Sequence, residues 1–267
     1  MPEHPSSVAW LDKHALHDDS FAEAYDALNG AERAVLKKCI ARLYQVWGET
    51  PPKESRTRAF IQGFGLEESS APVPYVLLVC ELSYPSPAAF LAALMPALLA
   101  GVEPVLPCFV PARDGGGMRH VPAALLAALE LAGVERAFLA ADDAVQDFFT
   151  SLSGRNAAGR LVLLGGAACG ESLALEAHRK GLPCRSLTGL PRYFSVRLDE
   201  AAEQCFRPRS SGAAGGNAIP PDDAGDEDGL FLSLDAGHED IWVWPDLGPD
   251  WFRTKRMRFF SLGSGAV

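Results

Sequence analysis

The sequence predicts an α/β fold: a doubly wound, mostly parallel sheet, preceded by N-terminal helices and followed by a short C-terminal β hairpin. Three observations predict it. Between residues 71 and 206, five short apolar runs alternate with Ala/Leu-rich segments of helical length. The runs lack polar alternation, as strands covered on both faces do. Glycines stand just past four of the helical segments, at Gly101, Gly133, Gly154 and Gly181, where a chain leaving a helix takes left-handed backbone.

From Ser20 to Glu49 the spacing is helical. Asn29 with Glu32 three residues on forms a capping box. Two adjacent apolar stripes follow, Val35/Cys39/Leu43/Val46 and Leu36/Ile40/Tyr44/Trp47, and Gly48 with Pro51 and Pro52 ends the helix. A face this wide needs a cover, either the main body or a second copy of the chain. The strands of the sheet are expected at Tyr75–Glu81, Val105–Val110, Arg136–Ala140, Arg160–Leu164 and Cys184–Leu187. Helices are expected at Ser86–Ala100, Val121–Ala132, Asp142–Ser153 and Cys169–Lys180. Arg207–Gly229 is Gly-, Ser- and acid-rich, with little to bury, and reads as a mobile loop. Leu230–Leu234 and Asp240–Trp244, around Ala236-Gly237-His238-Glu239, carry a hairpin signal. The expected organisation is a helical segment over 1–70, a Rossmann-like domain over 71–206, a flexible acidic linker over 207–229 and a β segment over 230–267 that packs on the main domain.

The chain has 267 residues, 48% hydrophobic and 22% charged, enough for a sizeable core in one or two domains. Its 24 basic and 34 acidic residues leave a formal charge of −10, which argues against a general nucleic-acid binder. Six scattered cysteines without a Cys-x-x-Cys pair give neither a disulfide framework nor a Cys-based zinc site. Met1-Pro2-Glu3-His4 lacks a leader pattern. The most apolar stretch, Ala88–Val102, is interrupted by Pro96 and too short to span a bilayer. A cytoplasmic protein without membrane or nucleic-acid partners is expected.

The strongest local signal is Leu161–Glu171, in which a buried strand runs into Gly165 and Gly166 and then a helix carrying Ala167 and Gly170. Such a turn can bring backbone N–H groups at a positive helix end to a phosphate or ribose. It also suits any sharp strand-to-helix connection. Asp114-Gly115-Gly116-Gly117 reads as a surface loop, Cys169 as a small packed thiol, and His238-Glu239-Asp240 as ordinary turn residues. The Trp251–Phe260 tail mixes four basic with four aromatic residues and reads as an amphipathic edge strand.

Two stretches resemble the nucleotide-binding half of histidinol dehydrogenases, within the aldehyde dehydrogenase-like superfamily. Tyr84-Pro-Ser86, followed by an apolar helix ending at Pro96-Ala-Leu-Leu-Ala-Gly101-Val, is similar to that family's first helix. Val121 to Arg136, through Gly133, is similar to the next helix and turn. Gly165 to Gly170 stands where the wider superfamily has its Gly-x-x-x-x-Gly cofactor turn, ahead of Ser186-Leu-Thr-Gly189-Leu. The resemblance covers about residues 71–200 and implies NAD as cofactor, with Gly165, Gly166, Ala167, Gly170, Tyr84 and Ser86 around it.

The departures fall on the chemistry. Ala140-Ala-Asp-Asp-Ala, Gly165-Gly-Ala-Ala168 and Gly189-Leu-Pro-Arg192 replace the family's Gly-Gly-Ala-Gln-Ala, Gly-Pro-Gly-Asn and Gly-Pro-Ser-Glu. Its zinc ligands and acid/base Glu-His pair have no counterparts. The expectation is a nucleotide-binding-type protein without catalytic or metal residues, acting as a binding or assembly module for a nucleotide or small molecule, with a homo-oligomer through the N-terminal helices as one arrangement. The alternative is an NAD-dependent dehydrogenase, completed by the C-terminus or a second subunit.

Overall fold

A computed structural model describes residues 12–48, 50, 53–82, 86–111, 120–140, 158–165, 167–187, 242–244 and 246–262, with shorter pieces at 145, 147, 193–194 and 232–233. Its centre is a five-stranded sheet of β3 (Val76–Glu81), β4 (Val105–Val110), β5 (Phe138–Leu139), β6 (Arg160–Leu164) and β7 (Cys184–Leu187). All pairs are parallel and the order is β5-β4-β3-β6-β7. The chain builds outward from β3 to one edge, then returns to β3's other side with β6. This is the doubly wound arrangement, with a reversal point between β3 and β6.

Alternation along each strand divides two cores. Val76, Leu78 and Cys80 join one core with α2, α3 and α4 (Gly30–Trp47, Pro87–Leu99 and Ala123–Leu131). Tyr75, Leu77 and Val79 join the other with Leu173 and Ala177 of α5 (Ala167–Arg179). Helices thus cover both faces, which is why the strands read as unbroken apolar runs. Helix α3 is buried nearly all round and correspondingly apolar on every side. Ser86 caps it, its Oγ accepting from the Ala89 N–H at 3.3 Å. Gly101, Gly133 and Gly181 turn the chain out of their helices with φ of 77°, 73° and 68°.

The N-terminal segment forms α1 (Asp19–Ala27) and α2. The capping box is in place: Asn29 accepts from the Ala31 and Glu32 N–H groups, and Glu32 accepts from the Asn29 N–H. Val35, Leu36, Cys39 and Leu43 are buried, and α2 packs on α3 and α4. The main body therefore covers most of this face, while Tyr44 and Val46 stay exposed.

A hairpin of β1 (Glu54–Phe60) and β2 (Phe64–Pro72) follows, where sequence analysis assigns no strand. β10 (Arg253–Ser261) completes an antiparallel sheet in the order β1-β2-β10. The tail is therefore an edge strand. Among the described residues, the arms of the hairpin expected at Leu230–Leu234 and Asp240–Trp244 do not pair with each other. Leu232–Ser233 (β9) pairs in parallel with Tyr193–Phe194 (β8), and residues 242–244 belong to no strand. Tertiary packing decides the latter: Trp242 and Trp244 are buried edge-to-face at 6.0 Å, and the Trp244 Nε1–H donates to the Ala89 carbonyl at 2.9 Å. The expected linker 207–229, Gly154, the Asp114–Gly117 loop and most of the helix expected at Asp142–Ser153 lie outside the described residues.

Two arginines tie the C-terminal segment to the body. Arg160, at the start of β6, donates from Nε to the Trp251 carbonyl at 2.9 Å and lies over that indole. Arg253 is buried. It donates to the Ser70 hydroxyl at 2.9 Å and to the Ser70 and Ala100 carbonyls at 3.2 Å, so its burial is offset by charge-assisted bonds.

Candidate functional site

In a doubly wound sheet the crevice lies beyond the carboxyl ends of the strands, where the strand order reverses. Here that point lies between β3 and β6. A small hollow occurs there, lined by Val79 and Glu81 of β3, Val110 of β4, Leu163 and Leu164 of β6, Gly165, and Gly170 of α5. Strand parity explains the lining, since residues 79, 81, 110, 163 and 165 all face α5. The hollow offers about 10 Å³, enough for one water-sized group.

Glu81 is the acidic residue of this wall. Gly165 has φ +138°, a conformation that side chains other than glycine's avoid. A Cβ placed on it would lie 2.4 Å from Glu81 Cβ and 3.1 Å from Glu81 Oε2. The space vacated by the missing side chain is therefore filled by Glu81. The carboxylate lies against the turn that opens α5, near the positive end of that helix, where negative charge is favoured. Beside it, Cys80 is fully buried, and burial together with the neighbouring Glu81 pushes its thiol pKa well up. It stays protonated and packs as a small apolar group.

The structure brings two of the residues singled out in the sequence, Gly165 and Gly170, to this hollow. Ala167 opens α5 next to them. A Cβ on Gly170 would meet Ser186 Oγ at 3.6 Å, an ordinary contact. Ser86 serves as the buried α3 cap. Tyr84 and Gly166 lie outside the described residues, as do the Cys169 side chain and His238-Glu239-Asp240. Glu81 was missed by sequence reasoning. The available signal was a single carboxylate closing an otherwise apolar strand, at the end where such folds place ligands. Among the described residues no group of three His, Cys, Asp or Glu converges as a metal site would require, and no helix is long and apolar enough to cross a membrane.

Comparison with solved structures finds dehydrogenases. The histidinol dehydrogenase of Elizabethkingia anophelis superposes with a TM-score of 0.51 at 11% identity, over 70% of this chain and 43% of that one. The fold is dehydrogenase-like. A succinate-semialdehyde dehydrogenase from Burkholderia pseudomallei matches at 15% identity and a TM-score of 0.40, covering 74% of this chain and 47% of its own. A betaine aldehyde dehydrogenase from Staphylococcus aureus matches at 13% and 0.38, covering 70% and 40%. The chain spans less than half the length of each. No protein-family model matches the sequence, and no curated protein does either.

Proposed function

We propose that this chain is a nucleotide-binding-type module of dehydrogenase-like fold that holds a nucleoside or similar small polar ligand at the β3/β6 crevice and does not itself catalyse dehydrogenation. The observation that carries the binding role is the hollow at the reversal point, walled by Glu81, Gly165 and Gly170. The departures at Ala140–Ala144, Gly165–Ala168 and Gly189–Arg192 support the non-catalytic part, since hydride transfer needs a proton acceptor within reach of the substrate.

NAD is the cofactor that the resemblance implies. The Glu81 side chain fills the space that a Cβ on Gly165 would take, which disfavours a pyrophosphate at that point of the turn. A ligand that binds only the folded state raises its melting temperature. Millimolar adenosine is expected to do so and NAD is not, and NAD with histidinol or simple aldehydes is expected to yield no NADH absorbance. Steady NADH formation by the purified chain would replace this reading with that of a working dehydrogenase.

A further inference from the structure

We infer that the antiparallel sheet β1-β2-β10 is an arm that docks on the body of a second copy of this chain, burying an apolar patch and setting its basic charge against the acidic body. Seven large hydrophobic side chains are exposed among the described residues, and four of them lie in this sheet or its turn: Ile61, Phe64, Met257 and Phe259. Such clustering on so small an element marks an interaction surface rather than scattered exposure. The register sets Phe60 opposite Phe64 and Phe259 opposite Leu66. Phe60 stacks on Phe64 at 4.6 Å, and Phe64 lies 6.3 Å from Phe259. One face therefore carries a continuous apolar patch, and Ile61 stands at the turn 95% exposed. The wide face of α2 is already covered for the most part by the chain's own helices, so the arm is the larger apolar surface left without a cover.

Charge selects the occupant. The three strands carry six basic and three acidic side chains, a net of +3 in a chain of −10, which leaves −13 on the rest. Arm against arm would set like charges together. A polyanion, whether nucleic acid or an anionic lipid surface, would be repelled by the body that the arm belongs to. The body of a second copy is the acidic partner that is always present. Area agrees with this. Strands of up to nine residues give one face of the arm roughly 400 Å² at standard strand spacings. Two-fold docking uses the arm and an equal body patch of each copy, roughly 800 Å² per partner, the size of a standard stable interface.

The test is the mass of the full chain in solution, by light scattering and sedimentation over a micromolar concentration series. Wild type is compared with the double variant Ile61→Asp with Phe259→Asp, with Arg56→Glu, and with Tyr44→Asp on α2. All four positions are exposed, and circular dichroism first establishes that each variant is folded. Wild type is expected at twice the chain mass. The double variant should weaken the dimer at least about tenfold, as loss of apolar anchors does. Arg56 lies opposite Glu68 in the same row as Met257, and its reversal should weaken the dimer severalfold. Tyr44→Asp should leave it unchanged. A monomeric wild type overturns the inference, including one that cosediments with anionic phosphatidylserine vesicles. So does a dimer that the double variant leaves intact, or one that only Tyr44→Asp disrupts. A tighter dimer in Arg56→Glu would mean that arm packs on arm, and would overturn docking on the body.

Discussion

The two main sheets of this protein solve opposite problems. The parallel sheet is buried on both faces at its centre: Val76, Leu77, Leu78, Val79 and Cys80 of its central strand are at most 2% exposed. The antiparallel sheet is largely open to solvent, with β1 exposed along nearly its whole length and Met257 and Phe259 of β10 61% and 66% exposed. Its order comes from backbone pairing and cross-strand contacts: Arg58 with Glu68 at 2.7 Å, Phe60 stacked on Phe64 at 4.6 Å, and Phe64 near Phe259. Exposed contacts of this kind contribute roughly 0.2–1 kcal/mol each, against about 1.5–3 kcal/mol for fully burying a leucine. Stability therefore resides in the parallel sheet, which also carries the candidate site. Arg253 joins the two, bonding Ser70 of β2 and the end of α3.

The largest test of this contrast is a pair of truncations. Leu77→Ala, in the centre of β3, should cost about 3–5 kcal/mol through lost burial and a residual cavity. Met257→Ala, on β10, should cost under about 0.5 kcal/mol. Chemical denaturation of both variants measures the difference, and equal losses would break the contrast.

A finer test uses the same local geometry in both sheets. A Cβ on Gly159 would meet the Tyr75 ring at 2.3 Å, and one on Gly65 would meet the Phe260 ring at 2.4 Å. Neither glycine has a positive φ, so the effect of alanine is steric. Tyr75 is held in the core and cannot move aside, so Gly159→Ala should cost about 1–3 kcal/mol. Phe260 is only half-buried and can swing away, so Gly65→Ala should cost clearly less. The two melting temperatures, measured side by side, decide it.

The smallest effect is a pH slope. Burial pushes Tyr75 up to about 12 and Cys184 up to about 11. Both groups keep their protons in the folded state after the unfolded chain has released them. The unfolded state then binds fewer protons, so stability falls as pH rises, from about pH 10 towards 12 for Tyr75. Below that window the tyrosine contributes no slope. Between pH 9 and 11, Tyr75→Phe should lose about 1 kcal/mol less stability than wild type. Parallel slopes for the two proteins would mean that the tyrosine is not shielded as its burial implies.

Much of the architecture is legible in the residues themselves. The apolar runs that became β3, β4, β6 and β7, the Asn29/Glu32 capping box and the glycines ending α3, α4 and α5 depend on local physics. That physics is side-chain patterning, a cap's hydrogen bonds and glycine's access to positive φ. The edge strand at the C-terminus belongs with them, although it is exposed on both faces from Lys255 to Phe259. Tertiary structure alone decided the rest. The β1-β2 hairpin is polar on both faces, so no period marks it, and its third strand arrives from nearly 200 residues away. Trp242 and Trp244 carry strand-forming side chains, yet their burial beside α3 and the bond to Ala89 remove them from any sheet. Glu81 and Gly165 are 84 positions apart in sequence and neighbours only because β3 and β6 pair in register. That pairing sets a glycine that the sequence left open to a phosphate, a ribose or a plain strand-to-helix turn beside a carboxylate, and long-range register of this kind is written in no single stretch of the chain.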